Sequence, residues 1–233
     1  MIPTPALDFA RTPVTLTVTA IALAIELVCT LDPDGARREY LYNDLQLGIW
    51  LQVWDGQPWR AVTTTLLHGS LLHAAFNIYW MLIFGAAIET RFGPPRFLAL
   101  FVLLAVVSTM AQYLLVPKGA VGLSGVVYGL FGLLWVGRRY EPDWYWSCND
   151  QTVQVLMIWF CFCFVLSYFG MPIANIAHGA GLAMGALLAM ATFARQHRWA
   201  WRGGAALLAL PCVASLLGVP GHSEYEKYRL LLQ

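Results

Sequence analysis

Charge is what this sequence has least of. Only 12% of its 233 residues are charged while 59% are apolar, and an average soluble domain carries about twice that charge. Its 14 Lys and Arg nearly cancel 13 Asp and Glu, so it has no cationic surface to neutralise a phosphate backbone, which disfavours nucleic-acid binding. Cysteine is sparse as well. Cys29, Cys148, Cys161, Cys163 and Cys212 fall mostly within apolar runs, without metal-ligand spacing or the density of a disulfide scaffold, and read as free, buried thiols. No H-E-x-x-H and no aspartate inside an apolar run occurs, which excludes hydrolysis of the zincin and paired-aspartate kinds. Aromatics, by contrast, abound: 10 Trp, 12 Phe and 10 Tyr bring more apolar area than a disordered tail can leave in water. The composition predicts an all-α polytopic membrane protein.

Stretches near the roughly 20 residues that cross a hydrocarbon core occur at 13–31, 66–88, 97–116, 120–137, 152–169, 173–194 and 203–219. The last is short and carries Pro211, which leaves open six spans with a hydrophobic C-terminal hairpin. Residues 1–12 read as a short cytoplasmic N-terminus, 13–194 as a core with a long first loop at 32–65, and 195–233 as a C-terminal extension. The first run is too long for a signal-peptide core and is followed by no small-residue cleavage site, so it is expected to stay as an anchor. With the N-terminus inside, Arg11, Arg91, Arg96, Arg138, Arg139, Arg195, Arg198 and Arg202 are cytoplasmic, against Arg37, Arg38, Arg60 and Lys118 outside. That asymmetry favours this orientation. In the first loop, Leu47, Trp50, Leu51 and Trp54 recur at helical spacing, which suggests a helix lying in the outer interface or, more plainly, an aromatic belt.

Polar groups at bilayer depth are costly and point to function. Those inside the candidate spans include Glu26, His73, Asn77, Gln112, Ser124, Asn175 and His178. Glu26 is expected near the outer end of its helix, at the interface. Counting back from the arginines that close the even-numbered spans, Asn77 and Ser124 each lie about 21 Å up their helices, His178 about 25 Å and His73 about 27 Å. Four groups from three parallel helices thus share one layer.

A serine and a histidine at one depth suit acyl transfer, because a hydroxyl is a weak nucleophile until a neutral imidazole takes its proton. No carboxylate lies in the sixth span, so the reading is a dyad of Ser124 and His178. His73 and Asn77, four apart on one helix face, together with the Ser124 backbone N–H, can supply oxyanion donors. Taken singly, each motif has a plainer reading. Gly122-Leu-Ser124-Gly125 is also a packing seam and lacks the soluble hydrolase elbow, having Val126 two positions after the serine. His178 with Gly181 and Gly185 is equally a core histidine beside a small-residue face.

Together these stretches resemble the rhomboid family of intramembrane serine proteases. The resemblance runs through Trp59-Arg60, His68-Gly-Ser-Leu-Leu-His73-Ala-Ala-Phe-Asn77, Glu89-Thr-Arg91, Gly122-Leu-Ser124-Gly-Val-Val-Tyr128 and Asn175-Ile-Ala-His178-Gly-Ala-Gly181-Leu-Ala-Met-Gly185, over about residues 40–194. It implies a rhomboid-like six-helix transmembrane bundle, with 203–219 as a candidate seventh span. It also implies Ser124 as nucleophile, His178 as general base, and His73, Asn77 and the Ser124 amide as oxyanion stabilisers. Tyr128 would stack on the catalytic histidine, and Gly181 would let the fourth and sixth helices pack closely, with Gly122 and Gly185 supporting the site. Trp59 and Arg60 would belong to a membrane-embedded first loop, Glu89 and Arg91 would form a structural pair, His68 would be structural, and 170–174 would cap the site.

The expected activity is endopeptidase cleavage of single-span transmembrane substrates near their outer end, beside a small residue and above helix-weakening ones. No cofactor or metal, no nucleic acid and no nucleotide is expected as a partner, and the lipid bilayer is. The expected location is the bacterial inner membrane, multi-pass, with the N-terminus cytoplasmic. One rival is an inactive rhomboid-like protein that binds or escorts membrane proteins. A small transporter using His73, His178 and Glu26 as relays is another, although the inner half of the spans holds almost no ionisable group.

Overall fold

The computed structural model describes residues 9–32, 36–43, 53, 57–116 and 120–217. Seven long helices dominate them, and no strand occurs among the described residues. They are α1 (Pro13–Thr30), α2 (Leu71–Phe92), α3 (Pro94–Leu115), α4 (Ser124–Gly137), α5 (Asp150–Tyr168), α6 (Asn175–Phe193) and α7 (Arg198–Ala214). Short helices Ala36–Asn43 and Arg60–Thr63 lie between α1 and α2, the second running into a 3-10 turn at Thr64–Leu66. Six helices are long and apolar enough to cross a membrane, α7 being counted with its 3-10 extension to Leu217. The protein is a multi-pass integral membrane protein.

Helix ends depart from the hydropathy reading where an apolar segment is not helical. The run at 120–137 yields a helix only from Ser124, because Gly122 takes a φ of 104° that ends any helical path. At 14 residues α4 is about 21 Å long, too short for a core of about 30 Å. The run from 66 becomes helical only at Leu71, where Ser70 is extended and its hydroxyl accepts the His73 N–H. The last helix starts at Arg198 rather than 203, since two arginines in its first turns depress hydropathy without opposing helix formation. Pro211 lies inside it.

α4 is the inner strut. Most of its residues are buried, with α2, α3 and α6 around it, and α4 against α6 is the closest helix pair. α1 packs on α2, and α7 leans on α3 and α6. α5 is peripheral: it touches α6 and buries only Leu156 and Cys163.

Two expectations need correction here. Glu89 and Arg91 do not pair with each other, because residues two apart on a helix point away from one another. The buried Glu89 carboxylate instead accepts the backbone N–H groups of Val14 (2.9 Å) and Thr15 (2.8 Å) and the Thr15 hydroxyl (2.7 Å). It thus caps the first turn of α1, where helical N–H groups have no partner of their own and a negative charge is favoured. Arg91 pairs with Glu141 at 2.8 Å. The cysteines are free, yet Cys161 is exposed rather than buried, on the outward side of α5. Glu26, one turn before the end of α1, is buried and accepts the Thr30 hydroxyl at 3.4 Å. The stripe Leu47, Trp50, Leu51 and Trp54 lies outside the described residues. Nearby, Trp59 is exposed while Arg60 is buried and donates from Nε to Gln57 Oε1 at 2.6 Å.

Candidate active site

Close approach of α4 and α6 creates the site. Gly181 and Gly185 lie four apart on α6, and a Cβ on either would collide with a backbone carbonyl of α4, that of Gly125 or that of Gly129. From the other side, a Cβ on Gly132 would strike the Leu182 carbonyl. Glycines on both helices therefore let the two backbones touch. That contact sets Ser124, the first residue of α4, against His178, in the first turn of α6. Ser124 Oγ and His178 Nε2 are 2.8 Å apart.

For the serine to donate to Nε2, the imidazole proton must be on Nδ1. His178 Nδ1 is buried and has no hydrogen-bond partner among the described residues, so no carboxylate orients the ring. Packing does so instead. The Tyr128 ring, one turn after Ser124, lies 4.9 Å from the imidazole centroid at 40°, and its hydroxyl donates to the Leu156 carbonyl at 3.3 Å.

The other candidate residues gather from α2 and the segment before it. Asn77 is buried, and its Nδ2 donates to no described group. An unpaired buried amide is a donor in want of an acceptor. His73, one turn earlier on the same face, sits over Gly122, where a Cβ would come within 2.8 Å of the ring. Gly122 thus answers two demands, a left-handed backbone and room for His73. His68 stands edge-on to His73 at 5.1 Å, and its Nε2 accepts the Leu123 N–H at 3.4 Å. The Ser124 N–H opens α4, and the first N–H groups of a helix find no acceptor within it. The three donors of the reading, Asn77 Nδ2, a His73 ring N–H and the Ser124 backbone N–H, come from α2 and the start of α4, with His73 lying against Gly122, two residues before Ser124. Such a set could hold a negative oxygen formed on attack by the serine. The described residues contain no group of His, Cys, Asp and Glu able to hold a metal ion.

The family model of the Rhomboid domain matches residues 55–195, which includes every residue of this constellation. The chain belongs to the rhomboid family. Curated relatives named Rhomboid protease GlpG, from Yersinia pseudotuberculosis serotype I (strain IP32953) and Yersinia pestis (strain Pestoides F), are 34% identical to it over 183 residues. One of the same name from Pectobacterium atrosepticum is 34% identical over 180 residues. In each case the match covers 76% of this chain and 62% of the relative's length.

Three other positions in this rhomboid support the site: Thr64, which carried no signal in the sequence, and Asn175 and Gln112, which stood out there only as polar groups at depth. Thr64 clamps the loop before Ser124 at two points: its hydroxyl donates to the Ala120 carbonyl at 2.6 Å, and its carbonyl accepts the Gly122 N–H at 3.2 Å. Asn175 ties α6 to α5 by donating to Ser167 Oγ at 2.7 Å. Gln112 reaches from α3, where its Oε1 accepts the N–H groups of Ile176 (3.1 Å) and Ala177 (3.3 Å). Because Ala174 offers α6 no side-chain cap, Gln112 caps from outside the turn that carries His178. Gln112→Leu should lower kcat about tenfold with KM nearly unchanged, and Gln112→Glu, which keeps the acceptor, should restore most of it. Steady-state kinetics with the substrate class proposed below checks this, and an unaltered kcat in Gln112→Leu would remove the residue from the positioning of His178.

Proposed function

We propose that this rhomboid is an intramembrane serine endopeptidase working through a Ser124–His178 dyad. The observation that carries the reading is the 2.8 Å approach of the Ser124 hydroxyl to His178 Nε2 in a chain of this family. His178 takes the hydroxyl proton as Ser124 Oγ attacks the scissile carbonyl, and the resulting oxyanion is held by Asn77 Nδ2, the His73 imidazole N–H and the Ser124 backbone N–H. The His178 imidazolium then gives its proton to the leaving amine, which departs as the ester between substrate and Ser124 forms. Water, deprotonated by His178, hydrolyses that ester and returns the serine.

Shortness of α4 supports entry of that water. A helix of about 21 Å starting at Ser124 leaves its N-terminal end below the surface, and irregular backbone at membrane depth is tolerated where it lines a wet cavity. A substrate helix must open locally, since a fully hydrogen-bonded helix exposes no carbonyl to attack. Single-span substrates cut near their outer end, beside a small residue and above helix-weakening ones, fit this requirement. We further propose a bacterial inner-membrane location with the N-terminus cytoplasmic, supported by the arginines at the end of the bundle opposite Ser124.

Incubation of purified protein in micelles with a single-span substrate, with and without prior fluorophosphonate treatment, tests the reading. Cleavage that the probe abolishes is expected. An intact substrate under conditions where the fold is preserved would favour an inactive binding protein instead. Within the mechanism, Asn77→Ala should lower kcat by roughly 10² while leaving KM close to its original value, as expected for a donor used mainly in the transition state. Comparing kcat of the two proteins decides it.

A further inference from the structure

At the end of the bundle opposite Ser124, the turn between α6 and α7 holds a cavity of about 460 Å³ lined by Arg195, His197, Arg198, Trp199 and Arg202. We propose that this cavity binds the phosphate of an anionic phospholipid headgroup. Two other cations at this end have carboxylate partners, Arg91 with Glu141 and Arg138 with Asp150, both at 2.8 Å, whereas Arg96 is exposed and stands outside the cavity. Among the described residues, no carboxylate pairs with Arg195, Arg198 or Arg202. Three like charges in one concavity repel, and a guanidinium presents a planar fork that matches phosphate oxygens two at a time. Arg198, one of the lining residues, has its Nε buried with no hydrogen-bond partner among the described residues. The Arg202 guanidinium lies 5.1 Å over the Trp199 ring, which holds it at the cavity wall. α7 opens from the same wall, so its positive end adds to the field.

The position argues for a lipid rather than a dissolved anion. The 20-residue apolar stretch that begins at Arg198 places the cavity where a span meets the headgroup layer, and basic pockets between helices at that level take anionic headgroups. Trp199 is 79% exposed there, as interfacial tryptophans are, and Leu207 (76%) and Leu210 (64%) continue the same side of α7 as a surface for acyl chains. Apart from Arg195, the lining residues lie beyond the matched family domain, so the site belongs to the appended helix.

Native mass spectrometry of the full chain in micelles, titrated with phosphatidylglycerol or phosphatidylcholine, tests the proposal. One phosphatidylglycerol should be retained about tenfold more tightly than phosphatidylcholine, and Arg198→Gln/Arg202→Gln should remove that preference while leaving the melting temperature near its original value. Should the double variant fail to fold, Arg195→Gln serves in its place and should weaken retention several-fold. Arg96→Gln, an exposed cation of the same bundle end outside the cavity, should leave retention unchanged. Equal weakening by Arg96→Gln would show diffuse attraction to the membrane surface and overturn the site. Equal retention of the two lipids would overturn it too. Displacement of phosphatidylglycerol by equimolar inorganic phosphate would reassign the cavity to a soluble anion and defeat the lipid assignment.

Discussion

Ser124→Ala should abolish both substrate cleavage and covalent labelling by a fluorophosphonate, lowering kcat by about 10⁴ or more. The size of the effect follows from the absence of a second nucleophile in the constellation: Tyr128 donates its hydroxyl to Leu156, and the thiols of Cys148 and Cys163 are buried. Because serine and histidine act as one unit, His178→Ala should cost about as much as Ser124→Ala, and the double variant no more than either alone. Gel detection of the labelled band, together with single-turnover cleavage, measures both. Labelling that persists in Ser124→Ala would assign the reactive hydroxyl to another residue.

The second large effect is structural in origin. A methyl group at Gly181 would collide with the Gly125 carbonyl, a backbone atom that cannot rotate away as a side chain can. Gly181→Ala should therefore push α6 off α4 and separate His178 from Ser124. Misplacement by about 1 Å costs roughly 10² in rate, and forced overpacking costs about 1–3 kcal/mol in stability. Gly179→Ala on the same helix supplies the control: its Cβ would meet only Phe160, at 4.0 Å, so activity and melting temperature should be retained. Equal activity in the two variants would mean that the glycine seam does not set the dyad distance.

What the sequence disclosed, and what it withheld, divides along the range of the interaction. Hydropathy located seven helices because burial in lipid leaves a run of apolar residues that local inspection can count. Helical rise placed Ser124, His178, His73 and Asn77 in one layer because the arginines closing each span supply a common ruler. Contacts between distant segments left no such trace. Gln112 looked like any polar residue at depth until α3 was seen beside the start of α6. Gly129 stood unremarked among the many small residues of a membrane helix, and Gly125 was read only as part of a packing seam without its partner, although they receive Gly185 and Gly181. Similarly, the apolar loop at 120–123 could not be told from the helix it precedes, since hydropathy counts residues and ignores their backbone angles. The pair of Glu89 and Arg91, which the resemblance implied, resolves into two separate contacts, because each side chain meets a partner from a distant segment, Glu89 on α1 and Arg91 at Glu141.

Glu89 also has a bearing on biogenesis. The carboxylate that completes the leading end of α1 stands 75 residues further along the chain than Val14, one of the groups it receives. During synthesis the first anchor thus enters the bilayer with its opening turn unmet by protein, and gains that partner only once the second hairpin arm has been threaded. Assembly of the bundle is therefore closed at its starting point by an event late in the insertion of its first half.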